Sequence, residues 1–402
     1  YRYDAARRLA NATSGAGEFG YQYAAGRQGL VSKLTLLLAG AVWVCVAGTL
    51  RAAELLPNES TRQLLERAVA VRPEPRQLAW QRREFITFIH FGMNTFTGRE
   101  WGTGQEDPAL FNPVELDCRQ WARLSREAGA KAVILVAKHH DGFCLWPSRF
   151  TDFSVRRSPW RNGQGDVVRE MDRACREYGL KLGLYLSPAD FHEPTYGTDS
   201  DAYNTFFRNQ LRELLTDYGE ISEVFFDGAQ PSRKHQVYDY AGYYRLIREL
   251  QPAAVISTKG PDVRWVGNEH GRARESEWSV IPLPVAPEAH HWPDLTAPDL
   301  GSRRQLTNAR HLHWYPAEAD VSLGGYWFYK GDDARNVKSL AQLLDIYYQS
   351  VGRNAVLLLN LSPDKRGLIS DLAAQRLQEF GAALRRTFQT NLAVGATVTA
   401  TV

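Results

Sequence analysis

Between residues 85 and 386, short apolar runs alternate with segments whose apolar positions recur every three to four residues. The runs at 85–91, 132–137, 182–186, 224–226, 254–257 and 355–359 are too short for helices and rich in Val, Ile, Leu and Phe, which predicts strands. Helical periodicity fills 117–128, 166–178, 202–217, 238–250, 338–350 and 370–386. The strand runs are continuous rather than alternating, as expected when both faces of a parallel sheet are covered. Repeated strand–helix units predict an α/β fold, and their number favours a closed (β/α)8-like, TIM-type barrel over 54–386. Residues 262–335 break the pattern and are rich in Pro, Trp and His, so a long functional loop is expected there. The tail 387–402 ends in an alternating stretch from Asn391 and reads as the first strand of a further, truncated β-domain.

The polar residues fall at telling places. His90, His139, His140, Asp190, Asp227 and Lys259 all follow apolar runs, where barrel enzymes build their sites. Asp227 closes the run Glu223-Val-Phe-Phe-Asp227-Gly-Ala229. A carboxylate there is costly to desolvate unless it has partners or a task. A second acidic cluster, Arg264-Trp-Val-Gly-Asn-Glu269-His-Gly-Arg-Ala-Arg-Glu275-Ser-Glu277-Trp278, lies in the irregular stretch. Two carboxylate-bearing segments with histidines and tryptophans suggest sugar chemistry.

Composition adds limits. The chain has 402 residues, 44% hydrophobic and 23% charged, with net charge +3 and no Lys/Arg run, which gives no reason to invoke nucleic acid. Lys33, the apolar stretch 34–50 and Arg51-Ala-Ala predict a secretory signal peptide over 31–53, cleaved near Ala52 or Ala53. A buried helix or an uncleaved anchor is the alternative. Cleavage would leave a secreted or periplasmic protein with no stable membrane insertion. Residues 1–30, rich in Ala, Gly and Arg and beginning with Tyr1, read as a non-native upstream extension. Cys45, Cys118, Cys144 and Cys175 form no CxxC pair, so buried thiols are expected. His139-His140 beside Asp141 could suggest a metal, but spacing fixes no third ligand, and neither metal nor cofactor is expected.

The motifs His90-Phe-Gly-Met-Asn-Thr-Phe96, Lys138-His-His-Asp-Gly-Phe143, Tyr185-Leu-Ser-Pro188, Phe226-Asp-Gly and Arg264-Trp-Val-Gly-Asn-Glu269 resemble, in order, those of retaining α-L-fucosidases of glycoside hydrolase family 29. Their form is similar to the branch preferring α-1,3/1,4-linked fucose, which often carries a β-sandwich after the barrel. The resemblance implies a fucosylated oligosaccharide or glycoconjugate substrate and a covalent fucosyl-enzyme. It implies Asp227 as nucleophile and Glu269 as acid/base, with Glu277 and Glu275 as competitors. It further implies His90, His139 and His140 as ligands of fucose hydroxyls, and Tyr185 as support for Asp227. Arg264 would hold the acid/base loop. Trp101 and Trp327 are candidates for packing on the sugar's C5 methyl, or for the core. Two departures stand out: Ala189 where the family has Trp, which puts the pocket rim in question, and Phe226 where it has Trp. Competing readings are another retaining barrel glycosidase acting on a different sugar and a catalytically silent carbohydrate-binding barrel. Retention of Asp227 and a candidate acid argues against the silent form.

Overall fold

The computed structural model describes residues 60–397 apart from 229–234, 308, 332–335, 392–393 and 396, with only short backbone segments before residue 60. Eight strands form one parallel sheet: β1 Phe85–Ile89, β2 Ala132–Lys138, β3 Lys181–Leu186, β4 Ile221–Phe226, β5 Val255–Thr258, β6 Arg264–Trp265, β7 Ala317–Ser322 and β8 Val356–Leu361. Their order is β5-β4-β3-β2-β1-β8-β7-β6. The two ends of the sheet meet through a single parallel bridge between Ser257 and Val263, so the barrel nearly closes. The strands expected from continuous apolar runs are all present, within a few residues of their predicted limits.

The stretch 262–335 needs correction. It holds two barrel strands, β6 and β7, and an antiparallel pair, Val280–Leu283 with His311–Trp314. β7 reads Ala-Glu-Ala-Asp-Val-Ser, and its acids point into the barrel rather than to water, which hides the strand from a hydropathy reading.

Helices α1 Cys118–Ala128, α2 Val167–Glu177, α3 Ser200–Asp217, α4 Tyr240–Leu250, α5 Leu340–Ser350 and α6 Asp371–Thr387 follow strands. Asp117, Asp166, Asp199, Asp239 and Ser339 cap α1 to α5, each accepting from a backbone N–H of the first turn. Each such cap stabilises by about 1 kcal/mol and fixes where the chain enters the helix. Ile89, Leu135, Ala137, Leu184 and Leu359 face the helix layer, while Phe88, Val136, Tyr185, Phe225 and Leu358 fill the barrel interior. That alternation places Tyr185, one residue before the end of the run, on the inside. Gly142 has φ +91, and a Cβ there would lie 2.3 Å from Asp190 Oδ1, so the turn after His140 requires glycine.

The leader expected over 31–53 lies mainly outside the described residues, although the backbone of Ala52–Glu54 pairs with 311–313. The β-domain expected over 387–402 lies largely outside them as well. Among the described residues no helix is long and apolar enough to cross a membrane. Cys118, Cys144 and Cys175 are buried free thiols, as expected.

Candidate active site

The C-terminal ends of β1 to β4 bring His90, His139, His140, Tyr185 and Asp227 to one mouth of the barrel. Asp227 follows β4 directly, and the Tyr185 hydroxyl donates to its Oδ2 at 2.8 Å, which fixes the rotation of the carboxylate. His140 Nε2 stands 3.6 Å from the same oxygen. Beneath them, buried Lys138 pairs with Asp190 at 2.8 Å and donates to Gln210 at 2.9 Å. That desolvated, hydrogen-bonded pair pins the segment carrying the two histidines.

The protonation of each imidazole follows from its partner. Ser187 Oγ donates to the Ala189 carbonyl at 2.6 Å, so it accepts from His140 Nδ1 at 2.7 Å. His140 Nε2 is therefore an acceptor in the neutral ring. His90 Nδ1 lies 2.8 Å from Asn360 Oδ1 and must donate to it, which leaves His90 Nε2 as a second acceptor. Asn94 Nδ2, which also faces the Glu100 carbonyl and Asp141, donates to His139 Nδ1 at 3.3 Å, so His139 carries its proton on Nε2. Burial is the main cause that keeps these rings neutral: it lowers His90 to about 4, despite the contact with Asn360, and lowers His139 well below its ordinary value. His140 is lowered by burial too, with Asp227 pulling the other way. The result is two acceptors and one donor around a carboxylate, a set that complements vicinal hydroxyls.

Aromatic rings complete the walls. Trp101, 48% exposed, sets its edge against His140 with centroids 4.9 Å apart. Trp327 is half-buried, 5.1 Å from His90. Buried Phe328 stands edge-on to both His90 and His139. Trp327 therefore lines the site while also packing on the barrel interior at Phe88. The two departures from the family pattern, Ala189 and Phe226, are wholly buried in the hydrophobic core.

The three candidate acids separate clearly. Trp327 Nε1 donates to Glu269 Oε2 at 3.2 Å, which ties this exposed carboxylate to the ring beside His90. Glu275 is exposed, and among the described residues it shows no contact with the site. Glu277 is buried between two arginines: Arg264 binds one oxygen, while Arg274 binds the other through its guanidinium at 3.1 Å and its backbone N–H at 3.0 Å. Both oxygens of Glu277 are thus engaged by arginines that hold the 264–278 segment. Arg264 itself begins β6, level with Ala317 at the start of β7, and so stands at the opposite end from the mouth. It anchors the 264–278 segment but does not reach toward the sugar position expected for a binding residue.

Four site residues were not read from the sequence. Asn94, Glu100 and Asn360 hold the residues above, and Asp320 on β7 accepts from Trp265 Nε1 at 2.8 Å. Burial raises Asp320 to about 8, and the charges of Glu269 and Asp227 push it further in that direction. Burial likewise raises Asp141 to about 7. A perturbed acid in reach of both candidate catalytic carboxylates marks a functional site. Asn360 alone had a signal, since it ends the apolar run 355–359 just as Asp227 ends its own.

A metal reading gains a different third partner. His139, His140 and Asp227, not Asp141, offer ligand atoms within 4.8 Å of one another.

The alpha-L-fucosidase family profile matches residues 90–387. A protein of Arabidopsis thaliana named alpha-L-fucosidase 1 is 47% identical over 323 residues, which are 80% of this chain and 62% of that protein. A crystal structure of a candidate alpha-L-fucosidase from Bacteroides ovatus aligns with TM-score 0.82 and 51% identity over 85% of this chain and 61% of that one. A Ruminococcus gnavus family 29 fucosidase in complex with fucose aligns with TM-score 0.71 and 33% identity, over 80% of this chain and 68% of its own. The chain thus spans less than two thirds of the plant relative and of the Bacteroides ovatus protein. Because the profile covers nearly the whole barrel and its mouth, the chain belongs to the alpha-L-fucosidase family.

Proposed function

We propose that the protein is a retaining, exo-acting α-L-fucosidase that releases terminal α-1,3/1,4-linked fucose from oligosaccharides or glycoconjugates outside the cytoplasm. The observation that carries this reading is Asp227, oriented by Tyr185 and ringed by imidazoles of complementary polarity. The solved complex of the Ruminococcus gnavus relative with fucose supports the sugar. The linkage preference rests on the form of the Phe-Gly-Met-Asn-Thr-Phe and Gly-Asn-Glu motifs, and the location on the leader-like segment over 31–53.

Catalysis takes two displacements. The Asp227 carboxylate attacks the anomeric carbon as the bond to the aglycone oxygen breaks, and Glu269 gives that oxygen its proton. Glu269, now a carboxylate, takes a proton from water, whose oxygen displaces Asp227 and yields fucose with its original α configuration. His90 and His140 accept from sugar hydroxyls, and His139 donates. Trp101 and Trp327 exclude water from the C5 methyl side.

Time-resolved NMR of the anomeric proton tests the reading on a 4-nitrophenyl fucoside and on Lewis-type trisaccharides. α-L-Fucose should appear first from both, with the β anomer arising by mutarotation. A first product of β configuration would show inversion, and inactivity on both substrates would refute the assignment.

A further inference from the structure

Asn360 is wholly buried at the end of β8, and its amide makes contacts in two directions. Nδ2 donates to the Trp327 carbonyl at 2.9 Å and to the hydroxyls of Ser322 and Ser362, each at 3.2 Å. A carbonyl only accepts, so the NH2 group must face Trp327 and Oδ1 must face His90. Oδ1 in turn only accepts, and that requires the His90 proton on Nδ1.

Trp327 is held on every side. Its backbone N–H donates to Glu100 Oε2 at 3.2 Å, and its carbonyl also takes Ser362 Oγ at 2.8 Å. Its indole N–H reaches Glu269 Oε2. Glu100 is further paired with Lys330 at 3.2 Å, on the same loop as Trp327. One buried amide thus stands between a sugar-facing imidazole and the ring that orients the candidate acid.

We propose that Asn360 is a positioning residue for both halves of the reaction: it fixes His90 as an acceptor toward a fucose hydroxyl and anchors the Trp327 strap that orients Glu269. The second half rests on reading Glu269 as the acid/base. Neither end can be satisfied by a smaller or apolar residue. Loss of the amide leaves the Trp327 carbonyl with Ser362 Oγ as its partner and lets His90 move its proton to Nε2, which turns an acceptor into a donor where the sugar is bound.

The two arms are separable by experiment. The first readout is the 15N spectrum of His90 at neutral pH, which reports the tautomer without any turnover. Wild type should show Nδ1–H, Asn360→Ala a mixture with Nε2–H, and the isosteric Asn360→Asp a doubly protonated ring. The second readout is the ratio of kcat/KM for a Lewis-type trisaccharide to that for 4-nitrophenyl fucoside. Damage to fucose recognition cancels in this ratio, whereas misplacement of the acid does not, because only the sugar leaving group needs a proton. The ratio should fall about tenfold to a hundredfold in Asn360→Ala and Asn360→Asp, the scale of a misplaced catalytic group. Trp327→Phe should give a similar fall, and the double variant should add little to it. Glu269→Ala sets the scale: an unchanged ratio there would overturn the acid/base assignment itself. If Glu269→Ala lowers the ratio while both Asn360 variants leave it unchanged, the anchoring role is overturned, and a wild-type His90 carrying Nε2–H overturns the tautomer role.

Discussion

Replacing Asp320 by Asn should stabilise the protein by an amount that grows with pH. The folded state holds this carboxyl in the barrel with its Oδ1 on the Trp265 indole, and burial is the largest cause raising its pKa from 3.8 to about 8. In the unfolded chain it ionises near 3.8. Across the window between these values the folded protein keeps a proton that the unfolded chain has released. Stability therefore falls as pH rises through the window, and the contribution is complete only below the unfolded value. Each pH unit corresponds to about 1.4 kcal/mol, so the penalty grows by roughly 3 kcal/mol between pH 5 and pH 7. Asparagine keeps the acceptor for the indole, has nearly the same volume and does not ionise. Every other titrating group is common to both proteins and largely cancels in the comparison. Urea titrations of wild type and Asp320→Asn, followed by tryptophan fluorescence at pH 5, 6 and 7, measure the gap. It should widen at each step. A gap constant to within about 0.5 kcal/mol across the three would mean that Asp320 is already ionised in the fold, and the electrostatic reading of the site would fail.

Asp227→Ala should abolish nearly all turnover with the circular dichroism spectrum unchanged, and azide should yield β-fucosyl azide; near wild-type turnover would remove the nucleophile assignment. Glu269→Ala should cripple trisaccharide hydrolysis yet still form the fucosyl-enzyme from 4-nitrophenyl fucoside, with azide accelerating turnover to α-fucosyl azide. Glu277→Ala should instead lower stability by about 3–5 kcal/mol, since it leaves Arg264 and Arg274 without their buried partner; a leaving-group signature without destabilisation would reverse the two roles. Activity should survive exhaustive chelation, and restoration by zinc after loss in EDTA would make His139, His140 and Asp227 a metal centre.

How legible the site was depended on where each residue sits. His90, His139, His140 and Asp227 each follow a continuous apolar run, and a strand buried on both faces is the clearest pattern a sequence offers. Asn360 has the same placement, but an amide carries no charge to draw attention to itself. Asp320 and the strand around it were hidden, because an acid pointing into a barrel looks like an acid pointing to water until its neighbours are known. The choice between Glu269 and Glu277 was hidden for a related reason. Both lie among arginines in sequence, and only the folded chain closes Arg264 and Arg274 over Glu277 while it turns Glu269 toward Trp327. Ala189, whose missing ring left the pocket rim in question, is buried in the core.

The arrangement of uncharged partners behind the histidines explains how three buried imidazoles can coexist beside one carboxylate. A carboxylate behind each ring would favour imidazolium, and three positive rings would repel one another and tie up Asp227 in ion pairs. Ser187, Asn94 and Asn360 give each ring one hydrogen bond without adding charge, and burial does the rest. Neutral rings add no positive charge beside Asp227, and the Tyr185 hydroxyl that donates to it is held firmly protonated by burial and by Asp227 itself. On the proposed mechanism that carboxylate faces the positive charge that develops at the anomeric carbon. The tautomers then carry recognition alone: a hydroxyl offered to His90 or His140 must donate, and one offered to His139 must accept. A ring that picked up a proton would both invert that code and neutralise the charge that drives the displacement. Neutral second partners therefore serve binding and chemistry through the same physical choice.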